Sequence, residues 1–320
     1  MTRKHIVVTG GAGFIGHHVC REALADGHTV TAIDNLSTGN YANIQPLREN
    51  PSFTFRRADI TQPVAVADLV GVTHIVHLAC PASPKANTRM PLDTILASSV
   101  GTLTMLDLAA RSDARIVCAS SSEIYGDPLE HPQTETYRGN CDPIGPFSAY
   151  TEGKRVLEAA CAAHHRQGTN VAVVRPFNVY GPGMWPDDGR VVASFCAAAL
   201  THQTLHIAGG GKQTRSLIYI DDFVDALFCA LEHDAFGPVN IGNDDEVTIA
   251  ELAELVVELA GSGNLEIVPA RAAEVAVRRP DTSRARDMLG WQASTSLRDG
   301  IGLTLDWMRE ILSVTGQAAR

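Results

Sequence analysis

The sequence lacks the cysteine patterns that mark disulfide-rich or zinc-binding proteins. It contains seven cysteines in 320 residues, and no two of them form a Cys-x-x-Cys pair. A disulfide framework or a cysteine metal site is therefore not expected. Five of these thiols lie in apolar segments, a pattern that indicates buried, reduced cysteines and a cytoplasmic protein. They are Cys20, Cys118, Cys161, Cys196 and Cys229.

Basic clusters and long apolar runs are also missing. The 36 acidic residues outnumber the 26 basic ones, which gives a net charge of −10 and makes nucleic acid an unexpected partner. No apolar run approaches the roughly 18 residues of a membrane span, and the N-terminus lacks the apolar core of a signal peptide. We expect no membrane partner. No metal is expected either, because five histidines lack ligand spacing with a third partner and read as surface or satisfied residues: His17, His18, His164, His165 and His202.

A glycine turn follows the first predicted strand. His5 to Thr9 is rich in β-branched residues, and the pattern Gly10-x-x-Gly13-x-x-Gly16 comes directly after it. An apolar-periodic helix then runs to about Ala25. In this strand–turn–helix context, the glycines allow a pyrophosphate to approach the helix N-terminus. The turn, which includes Phe14 and Ile15, therefore predicts a dinucleotide site. The alternative is a purely structural turn.

Asp34 supports the choice of NAD as the dinucleotide. It ends a second predicted strand, Thr29 to Ile33, about 20 residues after the glycine turn. A carboxylate at that place binds the ribose hydroxyls of NAD and repels the 2′-phosphate of NADP. NAD is therefore the expected cofactor.

Strands and helices alternate through the first half of the chain, which predicts an α/β fold with a Rossmann-type, doubly wound parallel sheet. The further strands are expected at Phe53 to Arg57, His74 to Ala79, Ala114 to Ala119 and Val171 to Val174. The regular alternation of strands and helices ends after Asn178, and we expect a smaller C-terminal α/β domain that binds the substrate. We assign residues 1–178 with about 216–242 to the cofactor domain, and 179–215 with 243–320 to the substrate domain. Within this region we expect a hairpin turn at Gly209 to Gly211, a strand from Arg215 to Ile220, and a return of Val239 to Ile241 to the large sheet.

Two stretches carry the chemistry. Ser120 to Ser122 and Glu123 follow the buried strand that ends at Ala119, so they lie at the carboxyl edge of the sheet, where open α/β sheets bind ligands. Tyr150 and Lys154 are four residues apart in a predicted helix and share a face. A cationic Lys beside a phenol lowers its pKa from the usual value of about 10. Tyr150 is therefore expected to act as a base towards a sugar or alcohol hydroxyl.

These motifs resemble the extended short-chain dehydrogenase/reductase family that modifies nucleotide sugars. The resemblance covers essentially the whole chain. The resemblance rests on the glycine turn, Asp34, the Ser121–Tyr150–Lys154 set and FNVYGPG at 177–183. Longer strings are most similar to the UDP-glucuronate decarboxylases, also called UDP-xylose synthases. They are SSSEIYGDPLEHPQTETYRGN at 120–140, DPIGP at 142–146, YTEGKR at 150–155, DGRVV at 188–192 and QTRSLIYIDD at 213–222.

The resemblance implies a reaction. A nucleotide-diphospho-uronic acid, most simply UDP-glucuronate, is oxidised at C4 by NAD with Tyr150 as base and Ser121 sharing the hydrogen bond. The resulting β-keto acid loses CO₂, and re-reduction gives UDP-xylose unless the 4-keto sugar is released. Ser122 with Glu123 is the decarboxylase combination and is assigned to substrate positioning and to proton delivery at C5. Glu123 could instead only hold a loop. A 4-epimerase, a 4,6-dehydratase or a non-catalytic NAD(H)-binding regulator are the alternatives.

The family also implies binding residues. The arginines at Arg215 and Arg278 would neutralise the diphosphate, with Arg278 also beside the carboxylate. An arbitrary arginine is more often a solvated surface residue, but these two match motif positions. The remaining substrate contacts would come from Asn178, Arg190 and Gln213, and the remaining cofactor contacts from Asn35, Asp59, Ile60, Leu78, Ala79 and Pro176. Family members often pair the helices near 91–111 and 148–167 into a dimer, so a homodimer is expected.

Three positions depart from the decarboxylase pattern. Phe147 stands where an arginine near the carboxylate is usual, Asn87 where a tyrosine is usual, and Ala208 where an aromatic ring usually stacks on uracil. Loss of a stacking ring could cost on the order of 1 kcal/mol. Lys85 or Arg89 could replace the missing cation. Cys80 lies near the expected cofactor pocket, and we interpret it as a small loop residue and not as a catalytic thiol.

Overall fold

The structure is a computed structural model that describes residues 3–234, 236–270 and 275–314. Its strands are β1 (His5–Thr9), β2 (Thr29–Asp34), β3 (Phe53–Arg57), β4 (His74–His77), β5 (Arg115–Ala119), β6 (Val171–Pro176), β7 (Val179–Tyr180), β8 (Thr204–Ala208), β9 (Thr214–Arg215), β10 (Ile218–Tyr219), β11 (Pro238–Ile241), β12 (Val247–Thr248) and β13 (Asn264–Val268). Its α-helices are α1 (Phe14–Ala25), α2 (Tyr41–Ile44), α3 (Pro84–Arg89), α4 (Pro91–Leu96), α5 (Thr102–Ser112), α6 (Ser148–Arg166), α7 (Val191–Leu200), α8 (Ile220–Glu232), α9 (Ile249–Ala260), α10 (Ser283–Leu289) and α11 (Leu297–Val314).

The large sheet has the order β11-β6-β5-β4-β1-β2-β3, and each pair of neighbours runs parallel. The chain direction across the sheet reverses between β1 and β4. Ligands of open α/β sheets bind at the carboxyl ends of the strands flanking such a switch point. The predicted Rossmann-type fold is confirmed, and the predicted return of Val239 to Ile241 to this sheet is confirmed by β11.

The central strands are apolar because helices cover both faces of the sheet. In β1, Ile6 and Val8 join the core on one face, whereas Val7 joins the core on the other. A parallel strand buried on both sides therefore reads as a continuous β-branched run. The boundary between the two predicted domains stays a prediction.

Two predictions in the C-terminal half are wrong. The glycine run Gly209 to Gly211 does not turn a hairpin, since β8 pairs in parallel with the distant β13. All three glycines have positive φ and form a tight turn between β8 and β9. The predicted strand from Arg215 to Ile220 is divided. β9 pairs with β12 and β10 pairs with β7, so two residues separate strands of different sheets.

The helical stretch before β5 contains a one-turn irregularity. A π-helical turn at Ala97–Gly101 joins α4 to α5. By length and composition alone, Pro91–Ser112 could cross a membrane, which the sequence reading did not anticipate. Half of its most apolar window is buried inside the fold.

The cysteines follow the prediction at four of the five positions named. Cys20, Cys118, Cys161 and Cys196 are buried, whereas Cys229 on the outer part of α8 is half-buried. All seven cysteines of the chain are free thiols.

Candidate active site

The turn between β1 and α1 forms a cradle of backbone atoms. Gly10 has a φ of +70°, which favours glycine, and a Cβ at Gly16 would lie 2.0 Å from the Gly10 carbonyl oxygen. Gly13 caps α1 without a side chain, so the first N–H groups of the helix, around Phe14 and Ile15, are left for an anion. The residues present therefore fit the pyrophosphate of a dinucleotide.

Asp34 ends β2 beside this cradle. Its carboxylate accepts the N–H groups of Ala12 at 3.0 Å and Leu36 at 2.8 Å. Burial raises the pKa of Asp34, and these two hydrogen bonds partly offset the effect. A Cβ at Gly39 would lie 2.8 Å from the carboxylate oxygens, so glycine keeps that side of Asp34 open. The arrangement fits the ribose hydroxyls of NAD.

The other predicted cofactor residues lie at the same edge of the sheet. They are Asn35, Asp59, Ile60, Leu78, Ala79 and Pro176. Asn35 donates to Asp59 at 3.2 Å and so joins the loop after β2 to the loop after β3. The N–H groups of Leu78 and Ala79 donate to the Thr9 hydroxyl, at 3.1 and 3.2 Å. The loop after β4 is thereby held against the end of β1, next to the glycine turn.

Tyr150 and Lys154 lie on α6 and face the end of β5. The Lys154 ammonium is 5.7 Å from the centre of the Tyr150 ring and donates to the Ala119 carbonyl at 2.8 Å. The Ser121 hydroxyl hydrogen-bonds the Tyr150 phenol. All three side chains are buried. The structure therefore brings the predicted Ser–Tyr–Lys set together.

The predicted low pKa of Tyr150 is wrong for the protein alone. Burial raises the pKa of the phenol above its ordinary value, and the charge of Lys154 and the hydrogen bond from Ser121 only partly offset it. Desolvation disfavours the phenolate, and a single ammonium at this distance does not compensate. A second positive charge in the site would lower the pKa of the phenol further.

A 3₁₀ turn at Ser122–Tyr125 carries Ser122 and Glu123. Ser121 starts this turn, since its hydroxyl accepts the Glu123 N–H at 3.1 Å. The Glu123 carboxylate forms an ion pair with the Nη1 of Arg278, while the Nη2 of Arg278 donates to the Gly126 carbonyl at 3.3 Å. The Arg278 side chain is only 4% exposed, whereas that of Glu123 is 41% exposed. The buried Nε of Arg278 has no hydrogen-bond partner among the described residues.

The predicted diphosphate residues occupy neighbouring segments. The segment with Arg215 runs beside the segment with Arg278, because the Ser216 N–H donates to the Arg278 carbonyl at 3.1 Å. Gln213 donates from its side chain to the Ala208 carbonyl at 3.1 Å. Arg190, at the start of α7, lies with its Nε 3.5 Å from the carboxylate of Asp188.

Asn178 follows β6 with a positive φ of +40°. Its side chain donates to the Ser216 carbonyl at 2.8 Å, and its carbonyl accepts the Ile218 N–H at 3.3 Å. The side chain thus holds the segment of Arg215 in the protein alone. The predicted contact of Asn178 with substrate stays a prediction.

The three departures from the decarboxylase pattern occupy different environments. Phe147 is 44% exposed just before α6, and Ala208 is buried at the end of β8. Asn87 on α3 accepts a 3.5 Å hydrogen bond from Thr94. The Lys85 ammonium, on the same helix, reaches the Asp187 carbonyl at 3.4 Å, so α3 is joined to the loop that precedes Arg190.

Sequence reasoning missed a buried polar network behind Glu123. It contains Tyr125, Arg175 and Asn240, with Gln133 from the long loop 127–147. Tyr125 and Gln133 lie in the string that carried the family resemblance, but nothing marked their polar atoms as buried. Asn240 looked like an ordinary strand residue.

No group of three His, Cys, Asp or Glu residues close enough to hold a metal ion occurs in the part of the chain that the structure describes. The Nε2 of His18 donates to the Pro182 carbonyl at 2.7 Å, and the Nδ1 of His17 donates to the Gly13 carbonyl at 3.0 Å. Each ring thus has one backbone partner, while the buried Nδ1 of His18 has no hydrogen-bond partner among the described residues.

A glycine cradle at a switch point, an acidic residue after β2 and a Tyr–Lys helix define a nicotinamide-dinucleotide oxidoreductase scaffold. The chain belongs to the NAD dependent epimerase/dehydratase family, whose model matches residues 6–242. NAD is accordingly its cofactor, and the resemblance to the extended short-chain dehydrogenases/reductases is confirmed.

Similar proteins include decarboxylases and an epimerase. UDP-glucuronic acid decarboxylase 1 of Arabidopsis thaliana is 45% identical over 314 residues, which cover 97% of this chain and 71% of that protein. The crystal structure of UDP-glucose 4-epimerase from Thermotoga maritima has a TM-score of 0.89 and 30% identity, covering 96% of this chain and 99% of that one. MoeE5 in complex with UDP-glucuronic acid and NAD has a TM-score of 0.82 and 26% identity, covering 96% of this chain and all of that one.

Proposed function

We propose that the protein is an NAD-dependent decarboxylase of UDP-glucuronate. The observation that carries the proposal is the pairing of Glu123 with the buried Arg278 beside the Ser121–Tyr150 pair. A carboxylate and a buried cation next to an alcohol-oxidising pair suit a sugar that carries its own carboxylate. The similarity to decarboxylases over nearly the whole chain supports the same substrate.

The first step uses the residues at the end of β5 and on α6. Bound NAD supplies the hydride acceptor and the positive nicotinamide ring. Tyr150 takes the proton of the sugar C4 hydroxyl, Ser121 holds the same oxygen by a hydrogen bond, and Lys154 stabilises the phenolate. The nicotinamide ring would add a second positive charge to that of Lys154 and would lower the pKa of Tyr150 further. Proton removal is thereby coupled to cofactor binding.

The second step uses Glu123 and Arg278. A C4 ketone makes the substrate a β-keto acid, which loses CO₂ as an enolate stabilised by the Tyr150 and Ser121 hydroxyls. The buried Nε of Arg278 has no partner in the described structure. Arg278 can therefore bind the anionic substrate while its Nη2 still donates to the Gly126 carbonyl. Glu123, the more exposed partner of the ion pair, is free to turn towards C5 and deliver a proton there.

Substrate binding falls to the residues around Arg278. Arg215 and Arg190 supply cationic groups, and guanidinium forks match phosphate oxygens. Gln213 and Asn178 hold these segments in place in the protein alone. We assign the UDP diphosphate to this group of side chains.

A 4-epimerase is the second candidate, favoured by the 30% identity to the Thermotoga maritima enzyme. An epimerase reaction would leave the ion pair between Glu123 and Arg278 without a role. A 4,6-dehydratase is disfavoured, because Ser122 stands where that reaction needs an acid for the departing hydroxyl and a serine is too weak an acid.

The test is incubation with UDP-glucuronate and NAD⁺, followed by mass analysis of the sugar nucleotide. Loss of one CO₂ from its mass, abolished in Tyr150→Phe and retained in Tyr137→Phe, supports the decarboxylase. Further loss of two hydrogens means that the ketone is released with NADH left on the enzyme. An unchanged mass, with conversion of UDP-glucose to its 4-epimer, supports the second candidate.

A homodimer is part of the proposal. Large apolar side chains stand 39% to 72% exposed along α4, the π-helical turn and α5, at Leu92, Ile95, Leu96, Val100 and Leu103. Val156 is also exposed on α6, the helix that packs against α4. A set of exposed apolar side chains of this kind suits pairing with a second copy through the same helices.

Sedimentation at micromolar concentration tests the dimer. The wild type is expected to sediment as a dimer and Leu96→Lys as a monomer. Leu303→Lys, which changes an equally exposed leucine on α11, is the matched control and is expected to remain dimeric. A monomeric wild type contradicts the proposal.

A cytoplasmic location stays a prediction, which the free state of the seven thiols supports.

A further inference from the structure

We infer that the hydrogen bond between Tyr125 and Asn240 positions Glu123 against Arg278. Tyr125 and Asn240 are then positioning residues for the steps that follow C4 oxidation. The inference rests on the proposed function for the identity of those steps. Its geometric part is independent of the substrate.

Tyr125 lies between the two acceptors of Arg278. It ends the 3₁₀ turn that carries Glu123, and the next residue, Gly126, offers the carbonyl that accepts from Arg278. The Tyr125 ring is fully buried, and its hydroxyl donates to the Oδ1 of Asn240 at 2.7 Å. Fixing this ring fixes both contacts of the Arg278 guanidinium.

Asn240 extends the hydrogen bond to the segment that carries Arg278. It lies in β11 and is fully buried. Its Nδ2 donates to the Gln133 carbonyl at 2.9 Å and to the Asp281 carbonyl at 3.3 Å. The side-chain amide thus uses its oxygen for Tyr125 and its nitrogen for two backbone segments. A buried amide with all its partners present holds its neighbours in one arrangement.

Gln133 fixes the backbone just after Arg278. It is fully buried and exchanges two hydrogen bonds with Arg279, one from its N–H to the Arg279 carbonyl at 2.8 Å and one to its Oε1 from the Arg279 N–H at 2.9 Å. Its carbonyl accepts the Asp281 N–H at 2.8 Å. Together with the Ser216 bond to the Arg278 carbonyl, these contacts leave the Arg278 backbone little freedom.

The same network reaches the Tyr–Lys helix. Arg175 donates to the Tyr125 hydroxyl at 2.8 Å and pairs in a bidentate manner with Glu158, at 2.9 and 2.7 Å. Glu158 lies one turn after Lys154 on α6 and accepts a 2.6 Å hydrogen bond from Ser120. The two halves of the site are therefore held in register by one set of buried polar groups.

The consequence is selective. C4 oxidation uses Tyr150, Lys154 and Ser121, none of which hydrogen-bonds Asn240 or the Tyr125 hydroxyl in the described structure. The bidentate Arg175–Glu158 pair, which joins the network to α6, does not need that hydroxyl. The later steps use Glu123 and Arg278, whose separation depends on the Tyr125–Asn240 bond. Loss of the Tyr125 hydroxyl should therefore slow formation of the pentose product about tenfold, an amount of the order expected for one misaligned charged contact. The 4-keto intermediate should leave the enzyme more often.

The experiment compares Tyr125→Phe and Asn240→Leu with Tyr137→Phe as control. Tyr137 stacks on Tyr125 with ring centres 6.0 Å apart, but its hydroxyl accepts only the Leu129 N–H in the described structure. Amide hydrogen exchange is measured first, without substrate. Both network variants, but not the control, are expected to exchange faster at the N–H groups of Arg279 and Asp281. Unchanged exchange overturns the inference whatever the activity.

The second readout is the ratio of released 4-keto product to pentose product, with kcat and KM measured separately. The network variants are expected to raise this ratio and lower kcat with little change in KM, and Tyr125→Phe should add little further loss to Arg278→Lys. A ratio equal to that of the control, despite faster exchange, overturns the positioning role. If Asn240→Leu does not fold, Tyr125→Phe carries the test alone. A wild type that releases no CO₂ removes the proposed function, and hydrogen exchange then decides the Tyr125–Asn240 linkage by itself.

Discussion

Arg278 and Glu123 are 155 residues apart in the chain and form an ion pair whose two sides differ in exposure. The arginine side chain is almost completely buried, whereas the glutamate side chain is partly exposed. A buried cation holds its place and an exposed anion can move. The proposed function uses this asymmetry, because it requires Glu123 to leave the pair when the anionic substrate reaches Arg278.

Arg278→Lys tests the role of the guanidinium. Lysine keeps the charge but cannot contact Glu123 and the Gly126 carbonyl with one planar fork. We expect the rate of CO₂ release to fall by about one to two orders of magnitude, since the lost contacts are charge-assisted. Binding of NAD, measured by calorimetry, should be unchanged.

Arg286→Lys is the matched control for that variant. Arg286 pairs with Asp244 on the surface, with both side chains 41% exposed, and exposed pairs contribute little. Its CO₂ release should equal that of the wild type. Equal rates for Arg278→Lys and Arg286→Lys would remove Arg278 from the mechanism.

Lys154→Met tests how the Tyr150 pKa is controlled. The ammonium opposes the effect of burial on the phenol, so its loss raises the pKa of Tyr150 further. Less phenolate is then present at neutral pH, and the rising limb of the pH–rate profile should move to higher pH. General-base assistance contributes on the order of 10²–10⁴ in rate, which sets the largest expected loss. A profile of unchanged position contradicts this role for Lys154.

Gly16→Ala tests the cofactor cradle. The new Cβ would lie 2.0 Å from the Gly10 carbonyl oxygen, so the backbone must shift, which typically costs about 1–3 kcal/mol. We expect a lower melting temperature and weaker NAD binding in calorimetry.

The control is Gly302→Ala in α11, where a Cβ meets nothing within 4 Å. Replacing glycine inside a helix stabilises by roughly 0.5–1 kcal/mol, so this variant should melt at a slightly higher temperature and bind NAD normally. Equally weakened NAD binding in Gly16→Ala and Gly302→Ala would show that the effect of Gly16→Ala does not arise from the close approach to Gly10 in the cradle.

Stability should depend on pH through buried histidines. Burial lowers the pKa of His77 to about 3, with a further lowering from Lys154, and burial also lowers the pKa of His17 to about 3. The unfolded chain then binds more protons than the folded one between pH 6.5 and about 3. The free energy of unfolding is therefore fully present above pH 6.5 and falls as the pH is lowered through this window, by roughly 1 kcal/mol per pH unit for a histidine such as His77.

Urea unfolding between pH 7 and 4.5 measures this dependence. His77→Gln should flatten it, because glutamine does not titrate. Its unfolding free energy at pH 7 should be lower, since the histidine ring bridges the hydroxyls of Thr9 and Thr102, at 2.8 and 3.1 Å. An equally steep dependence in the variant would place the effect on other groups.

Local sequence patterns predicted the features that depend on local physics. The strand–turn–helix of the glycine cradle and the helix of Tyr150 are each specified by residues a few positions apart, and the structure contains both. The partners of β8 and β9 depend on segments far along the chain, so the hairpin at Gly209 to Gly211 was predicted wrongly.

The prediction of the Tyr150 pKa was wrong, and the network around Asn240 was not predicted, for a related reason. A helical spacing of four reveals the neighbouring charge of Lys154 but not the burial that outweighs it. An asparagine in a strand shows no sign of the three segments that its side chain will join. Burial and long-range polar contacts arise only once the sheet and the loop 127–147 are assembled.

The most direct measurement is the fate of the carboxyl carbon. UDP-glucuronate labelled with ¹³C at C6 is incubated with the protein and NAD⁺, and the label is followed by NMR. The proposed function predicts that the label appears as CO₂ and bicarbonate at a rate that Tyr150→Phe abolishes. Label that stays in the sugar nucleotide, while NAD⁺ is reduced or the C4 centre is inverted, would contradict it.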